Sequence, residues 1–297
     1  MNGVLNVYKE AGYTSHDVVA KLRGILKQKK IGHTGTLDPG AEGVLPVCLG
    51  NATRLSGMLT EKKKTYEAVL LLGRETDTQD IWGRVEAERT VDADEETVRR
   101  AVLDFQGSYD QIPPMYSARR VGGKRLYELA REGKEVERRP KRVEIYGITV
   151  QWIRLPRVCF TVDCGEGTYI RTLCRDIGER LGCGGCMESL LRTRVGNFVQ
   201  EESLRLSKIQ ELADQGRLSQ AVIPVDRMFR EYPRALMKPE GDRLVYNGNS
   251  FSASLAVLEE GKNRPETLVR VYDSRGVFVG VYRRKEESFR PVKMFLS

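Results

Sequence analysis

Between Val4 and Tyr8 apolar and polar positions alternate with a period near two, as in a short strand. The stripe that follows, Val18, Val19, Leu22, Ile25 and Leu26, has the three- and four-residue spacing of one helix face. Thr14 or Ser15 stands where such a helix needs a side-chain acceptor for its first free amides. After a lysine-bearing turn, Gln28 to Lys30, neither period survives. Gly32 to Gly43 reads G-H-T-G-T-L-D-P-G-A-E-G, too rich in Gly, Thr and Pro for a regular element, and is predicted as an irregular loop. Val44 to Leu49 then runs apolar throughout, as a buried strand does, and Glu67 to Leu72 reads as another strand entered through Lys62, Lys63 and Lys64.

Asp94 can cap a helix whose apolar face is Val98, Ala101, Val102 and Phe105, and Leu126 to Arg131 predicts a second helix stopped by Gly133. Val143 to Trp152 and Val158 to Cys164 read as strands joined through Pro156, and Gly165-Glu166-Gly167 breaks the second. Tyr169 and Arg171, two apart, are placed at a strand end, where their side chains would share a face. Ile170, Leu173, Cys174, Ile177 and Leu181 predict a helix packed on a sheet, with Gly182 as its stop. Ser207 and Gln210 form a capping-box pattern for a further helix ending at Gly216. Beyond Pro233 short strands, Leu268 to Tyr272 and Val277 to Tyr282, flank the turn Asp273 to Gly276. The mixture predicts an α+β chain in two domains, residues 1–231 and a small β domain, residues 232–297.

The 297 residues are 40% hydrophobic and 30% charged, with no long apolar run or low-complexity tract, which is the composition of an ordinary globular protein. The amino terminus lacks the basic and apolar segments of a secretory signal, so a cytoplasmic location without membrane attachment is expected. An excess of 49 Lys and Arg over 41 Asp and Glu gives a net charge of +8 and favours a polyanionic partner where the excess is clustered. Residues 262–297, from Lys262 and Arg264 to Lys293, carry nine basic against four acidic residues.

Familiar reactive motifs are missing: there is no G-x-x-x-x-G-K-[ST], no G-x-G-x-x-G after a strand and no H-E-x-x-H. Cys183-Gly-Gly-Cys186 has metal-like spacing but no second pair of ligands, since the only histidines are His16 and His33, far away in sequence. The six cysteines are therefore read as reduced thiols and no metal is expected. What remains is Asp38, a carboxylate between apolar Leu37 and Pro39 in a loop of small and hydroxyl-bearing residues. Such surroundings place a reactive group, restrict water near it and let a substrate approach.

The core G-H-T-G-T-L-D-P and its continuation G-V-L-P-V-C-L-G-N-A-T-R-L resemble the catalytic motif of TruB-type tRNA pseudouridine synthases. Further blocks of that family stand in the expected order: Thr14-Ser15, K-T-Y-E-A from Lys64, G-R-E-T-D-T-Q-D from Gly73, Q-I-P-P-M-Y-S-A from Gln111, G-T-Y-I-R-T-L from Gly167 and L-L-R-T-R-V-G from Leu190. They span most of residues 3–230, and the carboxy-terminal strands resemble, more loosely, the PUA-like domain of bacterial members. Two features depart from the pattern: Leu191 and Arg192 replace paired arginines, and Cys183 and Cys186 stand where small or aromatic residues are usual.

The resemblance implies a pseudouridine synthase fold, a central mixed and largely antiparallel sheet flanked by helices. It also implies isomerisation of uridine 55 in the TΨC arm of tRNA without cofactor or metal. By resemblance Asp38 is the nucleophile, Arg171 pairs with it, and Tyr66 stacks on the flipped uracil and assists at its C5 proton. Tyr169 and Leu190 line the pocket, His33 fills the space the nucleotide leaves, and Lys64, with Lys62 and Lys63, contacts phosphate. Asp77 and Asp80 are taken as carboxylates without such a role. A stand-alone monomeric enzyme with no obligatory protein partner is expected. A guide-RNA-dependent subunit is disfavoured by the lack of a long terminal extension, and a tRNA-binding or tRNA-folding protein without chemistry by the intact set of acid, arginine and tyrosines.

Overall fold

The computed structural model describes residues 1–55, 57, 63–259 and 266–296, so that Lys62, Lys262 and Arg264 lie outside the described residues. In chain order the first part of the fold is β1 (Gly3–Lys9), α1 (Ser15–Leu26), β2 (Ile31–His33), β3 (Glu42–Leu49), β4 (Lys64–Leu72), and the hairpin of β5 (Arg74–Thr76) and β6 (Val85–Glu88). There follow α2 (Glu95–Leu103), β7 (Gly107–Gln111), a hairpin of β8 (Arg120–Val121) and β9 (Lys124–Arg125), and α3 (Leu126–Arg131). Then come β10 (Lys141–Arg154), β11 (Arg157–Cys164), α4 (Ile170–Arg180), β12 (Gly185–Val195), β13 (Phe198–Val199) and α5 (Leu206–Asp214). Apart from the two hairpins, these strands form one sheet in the order β1-β3-β12-β4-β11-β10-β7, with β2 added to β3 and β13 to β12. Its ladders are antiparallel except where β12 meets β3, Leu191 opposite Glu42 and Arg192 opposite Gly43. The mixed, largely antiparallel sheet is thus the one the resemblance implies.

Each face of this sheet has its own reason to bury. Leu45, Val47 and Leu49 of β3 pack with Leu5 and Val7 under α1 and α5, whereas Val44 and Cys48 face a second cluster. A strand covered on both sides carries an unbroken apolar run, which is why Val44 to Leu49 shows no alternation. On β4 the pattern does alternate: Tyr66, Ala68, Leu70 and Leu72 sit in the core beneath α2 and α4 while Glu67 is exposed. Each large apolar side chain so buried contributes about 1.5–3 kcal/mol. The cap of α1 is Thr14, which accepts from the Asp17 amide at 3.1 Å while Asp17 accepts from the Thr14 amide at 2.8 Å.

The chain continues with β14 (Arg234–Met237), α6 (Asp242–Tyr246), β15 (Phe251–Ser252), β16 (Ala256–Leu258), β17 (Leu268–Tyr272), β18 (Phe278–Lys285) and β19 (Ser288–Met294). These strands make a separate sheet in the order β15-β19-β18-β17-β14-β16. It is joined to the first by the cluster of Val4, Val44 and Cys48 with Phe229, Val281 and Phe295. Beside that cluster Arg54 donates to the carbonyl of Met294 at 2.9 Å, and the Asn51 amide donates to that of Phe295.

Several local expectations need correction. Tyr169 and Arg171 are not at a strand end: β11 stops at Cys164, Gly167 turns the chain at φ +79°, Tyr169 is the residue before α4 and Arg171 lies in its first turn. Gly32 and His33 belong to β2, paired with Cys48 and Val47, rather than to an irregular loop. Helix α5 begins at Leu206 with Arg205 before it, so Ser207 is inside the helix and caps nothing. The chain is already pinned there, Leu204 donating to Asn6 and accepting from Tyr8 at 2.9 Å each, and the helix starts as soon as it leaves β1.

Candidate active site

The seam between β3 and β12 is where the site forms. Those strands pair over only two residues, and beside the first half of β12 the segment Gln79 to Ile81 takes the partner's place, Met187 donating to Gln79 and accepting from Ile81 at 3.0 Å. Two loops, residues 34–41 and 76–83, therefore come together at one sheet opening. Bulges in β12 at Met187/Ser189 and Arg192/Arg194 redirect its side chains on either side of it.

Asp38 is held there by its neighbours. The Ser15 hydroxyl accepts from the Leu37 amide at 2.9 Å and donates to the Leu37 carbonyl at 3.2 Å. Lys9, fully buried at the end of β1, donates to the carbonyls of Pro39 at 3.1 Å and Ala41 at 2.5 Å. Burial brings the Lys9 ammonium down to about 8, and the nearby charges of Asp38 and Glu42 work in the opposite direction. From β12 the buried Arg192 donates to the carbonyls of Val44 at 2.7 Å and Gly35 at 3.2 Å. Gly43 is indispensable at the crossing: its φ is +106°, and a Cβ there would lie 2.2 Å from the Arg192 carbonyl oxygen.

Arg171 meets Asp38 through two nitrogens: Nη2 donates to Oδ1 at 3.2 Å, and Nε lies 2.9 Å from Oδ2 as an ion-pair contact. The Arg171 side chain is 5% exposed and that of Asp38 37%, so the arginine is enclosed while the carboxylate can be reached. Further donors are taken up by the carbonyls of Thr78 at 2.9 Å and Tyr116 at 2.8 Å, and Asp80 lies 3.8 Å from Nη1.

Of the other expected residues, Tyr66 and Leu190 are brought to the site, sharing one buried cluster with Leu37. Burial raises the Tyr66 hydroxyl above its ordinary range, and Arg192, paired with it across β4 and β12, opposes that shift. Burial, with His16 and Arg192 next in importance, lowers His33 to about 4. Its ring stands edge-on to that of His16, with centroids 5.4 Å apart. Lys64 is buried rather than displayed, near Gly35 and Arg192, and its ammonium is lowered chiefly by burial. Lys63 is exposed, its ammonium 3.9 Å from the ring centre of Tyr146. Cys183 and Cys186 are free, buried thiols.

This pairing of an open carboxylate with an enclosed arginine can be set against known proteins. The TruB family pseudouridylate synthase N-terminal domain matches residues 23–170, and the tRNA pseudouridylate synthase B C-terminal domain matches residues 171–230. The chain is 52% identical to tRNA pseudouridine synthase B of Lachnoclostridium phytofermentans and 43% identical to that of Clostridium kluyveri, over the whole of both chains in each case. The chain belongs to the TruB family of pseudouridylate synthases. Among solved structures, one chain of a Cbf5-Nop10-Gar1 complex superposes with a TM-score of 0.74 at 27% identity, over 99% of this chain and 85% of that one. A chain of an H/ACA RNP bound to a substrate RNA containing 2′-deoxyuridine gives 0.73 at 26% identity, with the same coverage.

The structure of this TruB-family chain also shows what the sequence reading passed over. Asp80, taken as a carboxylate of no consequence, sits beside Arg171, and its Oδ1 accepts from Thr78 at 2.6 Å and from the Trp82 amide at 3.1 Å. Lys9 was legible only as a charge at the end of an apolar strand, a pattern that itself marks a buried and therefore paired group, and Arg192 only as the arginine that remains of the family's pair.

Proposed function

We propose that this TruB-family enzyme isomerises uridine 55 in the TΨC arm of tRNA to pseudouridine, with Asp38 as the group that engages the sugar and base. The observation that carries the reading is the two-pronged contact of enclosed Arg171 with accessible Asp38. A guanidinium in contact fixes the direction in which the carboxylate points, as a nucleophile requires. The N1–C1′ bond breaks with its electron pair on uracil, the base turns, C5 bonds to C1′, the C5 proton leaves to water and N1 takes one up. Mass is conserved and no cofactor or metal enters.

Tyr66 is assigned to stack on the extruded base and to assist at its C5 proton, for which the adjacent Arg192 would stabilise a phenolate. Tyr169 and Leu190 line the pocket, and His33, neutral at physiological pH, fills the place left by the nucleotide. Lys64, near Gly35 of the Asp38 loop, is assigned to substrate binding through phosphate. Extruding a base costs a few kcal/mol of stacking and pairing, which stacking and phosphate contacts must offset. Residues 1–231 are assigned to catalysis and 232–297, PUA-like, to RNA binding. The enzyme is read as a cytoplasmic monomer without an obligatory protein partner.

The test is release of tritium from a tRNA transcript labelled at uridine C5. Release by the protein alone, lost in Asp38→Ala and retained in Asp77→Ala, supports the proposal. A requirement for added guide RNA would make the chain a guide-RNA-dependent subunit instead, and binding without release would leave an RNA-binding protein.

A further inference from the structure

Arg171 can guide Asp38 only if the first turn of α4 is itself fixed, and among the described residues Tyr169, the residue before the helix, has no side-chain cap bond of its own. Its backbone is held instead from β7. The Gln111 side chain accepts from the Tyr169 amide at 2.8 Å and donates to the Tyr169 carbonyl at 3.0 Å, and its second amide hydrogen goes to the Tyr109 hydroxyl at 2.5 Å. Gln111 is 1% exposed, and these bonds settle its orientation, because the flipped amide would set N–H against N–H at Tyr169. Tyr109, two residues back on the same face of β7, lies beside the Asp176 carboxylate in the second turn of α4. One strand thus grips the start of the helix through Gln111 and packs Tyr109 beside its second turn. From the other side Gln79, held at φ +65°, accepts from the Thr172 hydroxyl at 2.8 Å.

We propose that Gln111 is a positioning residue for the reaction: by holding Tyr169 through both its N–H and its C=O it sets where Arg171 stands, and so where Asp38 points. This rests on the roles given to Asp38 and Arg171 above. Glutamine is needed because the position must accept and donate at once. An ionised glutamate accepts only and turns an oxygen toward the Tyr169 carbonyl, whereas a protonated glutamic acid can do both. The charged and titratable groups around the position are Tyr109 on β7, Lys141 opposite it on β10, and Arg171, Arg175 and Asp176 on α4.

The experiment measures single-turnover tritium release and tRNA affinity of full-length Gln111→Glu and Gln111→Leu, each as a ratio to wild type, between about pH 5.5 and 8.5. At the alkaline end both variants are expected to lose about ten-fold or more in rate, with affinity changed less than about two-fold, since displaced reacting groups cost rate rather than binding. As pH falls Gln111→Glu should recover toward wild type while Gln111→Leu does not. Thermal melts at each pH separate this from instability, and Tyr109→Phe, which keeps both bonds to Tyr169, should lose far less. Wild-type rates in either variant, a loss carried by affinity, or no acid recovery in folded Gln111→Glu would overturn the inference. Release lost in wild type, or kept in Asp38→Ala, would instead defeat the functional reading beneath it.

Discussion

His33 ordinarily titrates near 6.5, and in the fold burial, with His16 and Arg192 close by, brings it to about 4. The unfolded chain therefore binds more protons at this site between those values, and stability from this residue is lost as pH falls from about 6.5 toward 4. His33→Gln should flatten the acid side of a plot of melting temperature against pH, and parallel curves for variant and wild type would refute the assignment. Tyr66 invites a different measurement. Burial raises its hydroxyl and Arg192 opposes the shift, so on the proton-transfer role proposed above Tyr66→Phe should bind tRNA yet release tritium at least ten-fold more slowly. Unchanged release in Tyr66→Phe would confine the ring to stacking.

The seam of β3 and β12 depends on a glycine. Gly43→Ala would put a methyl group 2.2 Å from the Arg192 carbonyl at a φ of +106°, and a loss of about 3 kcal/mol is expected from overpacking and backbone strain together. Chemical denaturation checks it, and a midpoint equal to wild type would show that the seam can spread. Elements with one clean period were legible in the sequence: β1, α1 with its Thr14 cap, the apolar run of β3, and α4 from Ile170 onward. Strand β12 was not, since two bulges break its period of two and Arg192 interrupts its apolar face. The entry to α4 was missed for a related reason, because Tyr169 is capped from β7, fifty-eight residues away, and no local pattern reports that. Asp38 stood out because its loop is unusual within a dozen residues, while Asp80 and Gln111 acquire meaning only from what the fold sets beside them.

At the scale of the whole molecule the net charge of +8 predicts tRNA binding that weakens steeply with salt; six neutralised phosphates would cost about 10³-fold in affinity between 50 and 200 mM. Filter binding at several salt concentrations measures the slope, and a flat response would remove the phosphate contribution. The two sheets meet where Phe229, Phe278 and Phe295 pack with ring centroids 5.7 to 6.2 Å apart, and Asn51, just beyond the end of β3, grips the carbonyl of Phe295. The other end of β3 begins four residues after Asp38. Strand β3 is therefore a ruler: its eight residues, at about 3.3 Å each, set a span of roughly 26 Å between the loop that carries Asp38 and the far end where Asn51 holds the second sheet. With residues 232–297 proposed to bind RNA, affinity measured against substrate length is expected to rise once the RNA is long enough to reach from the Asp38 loop to the second sheet.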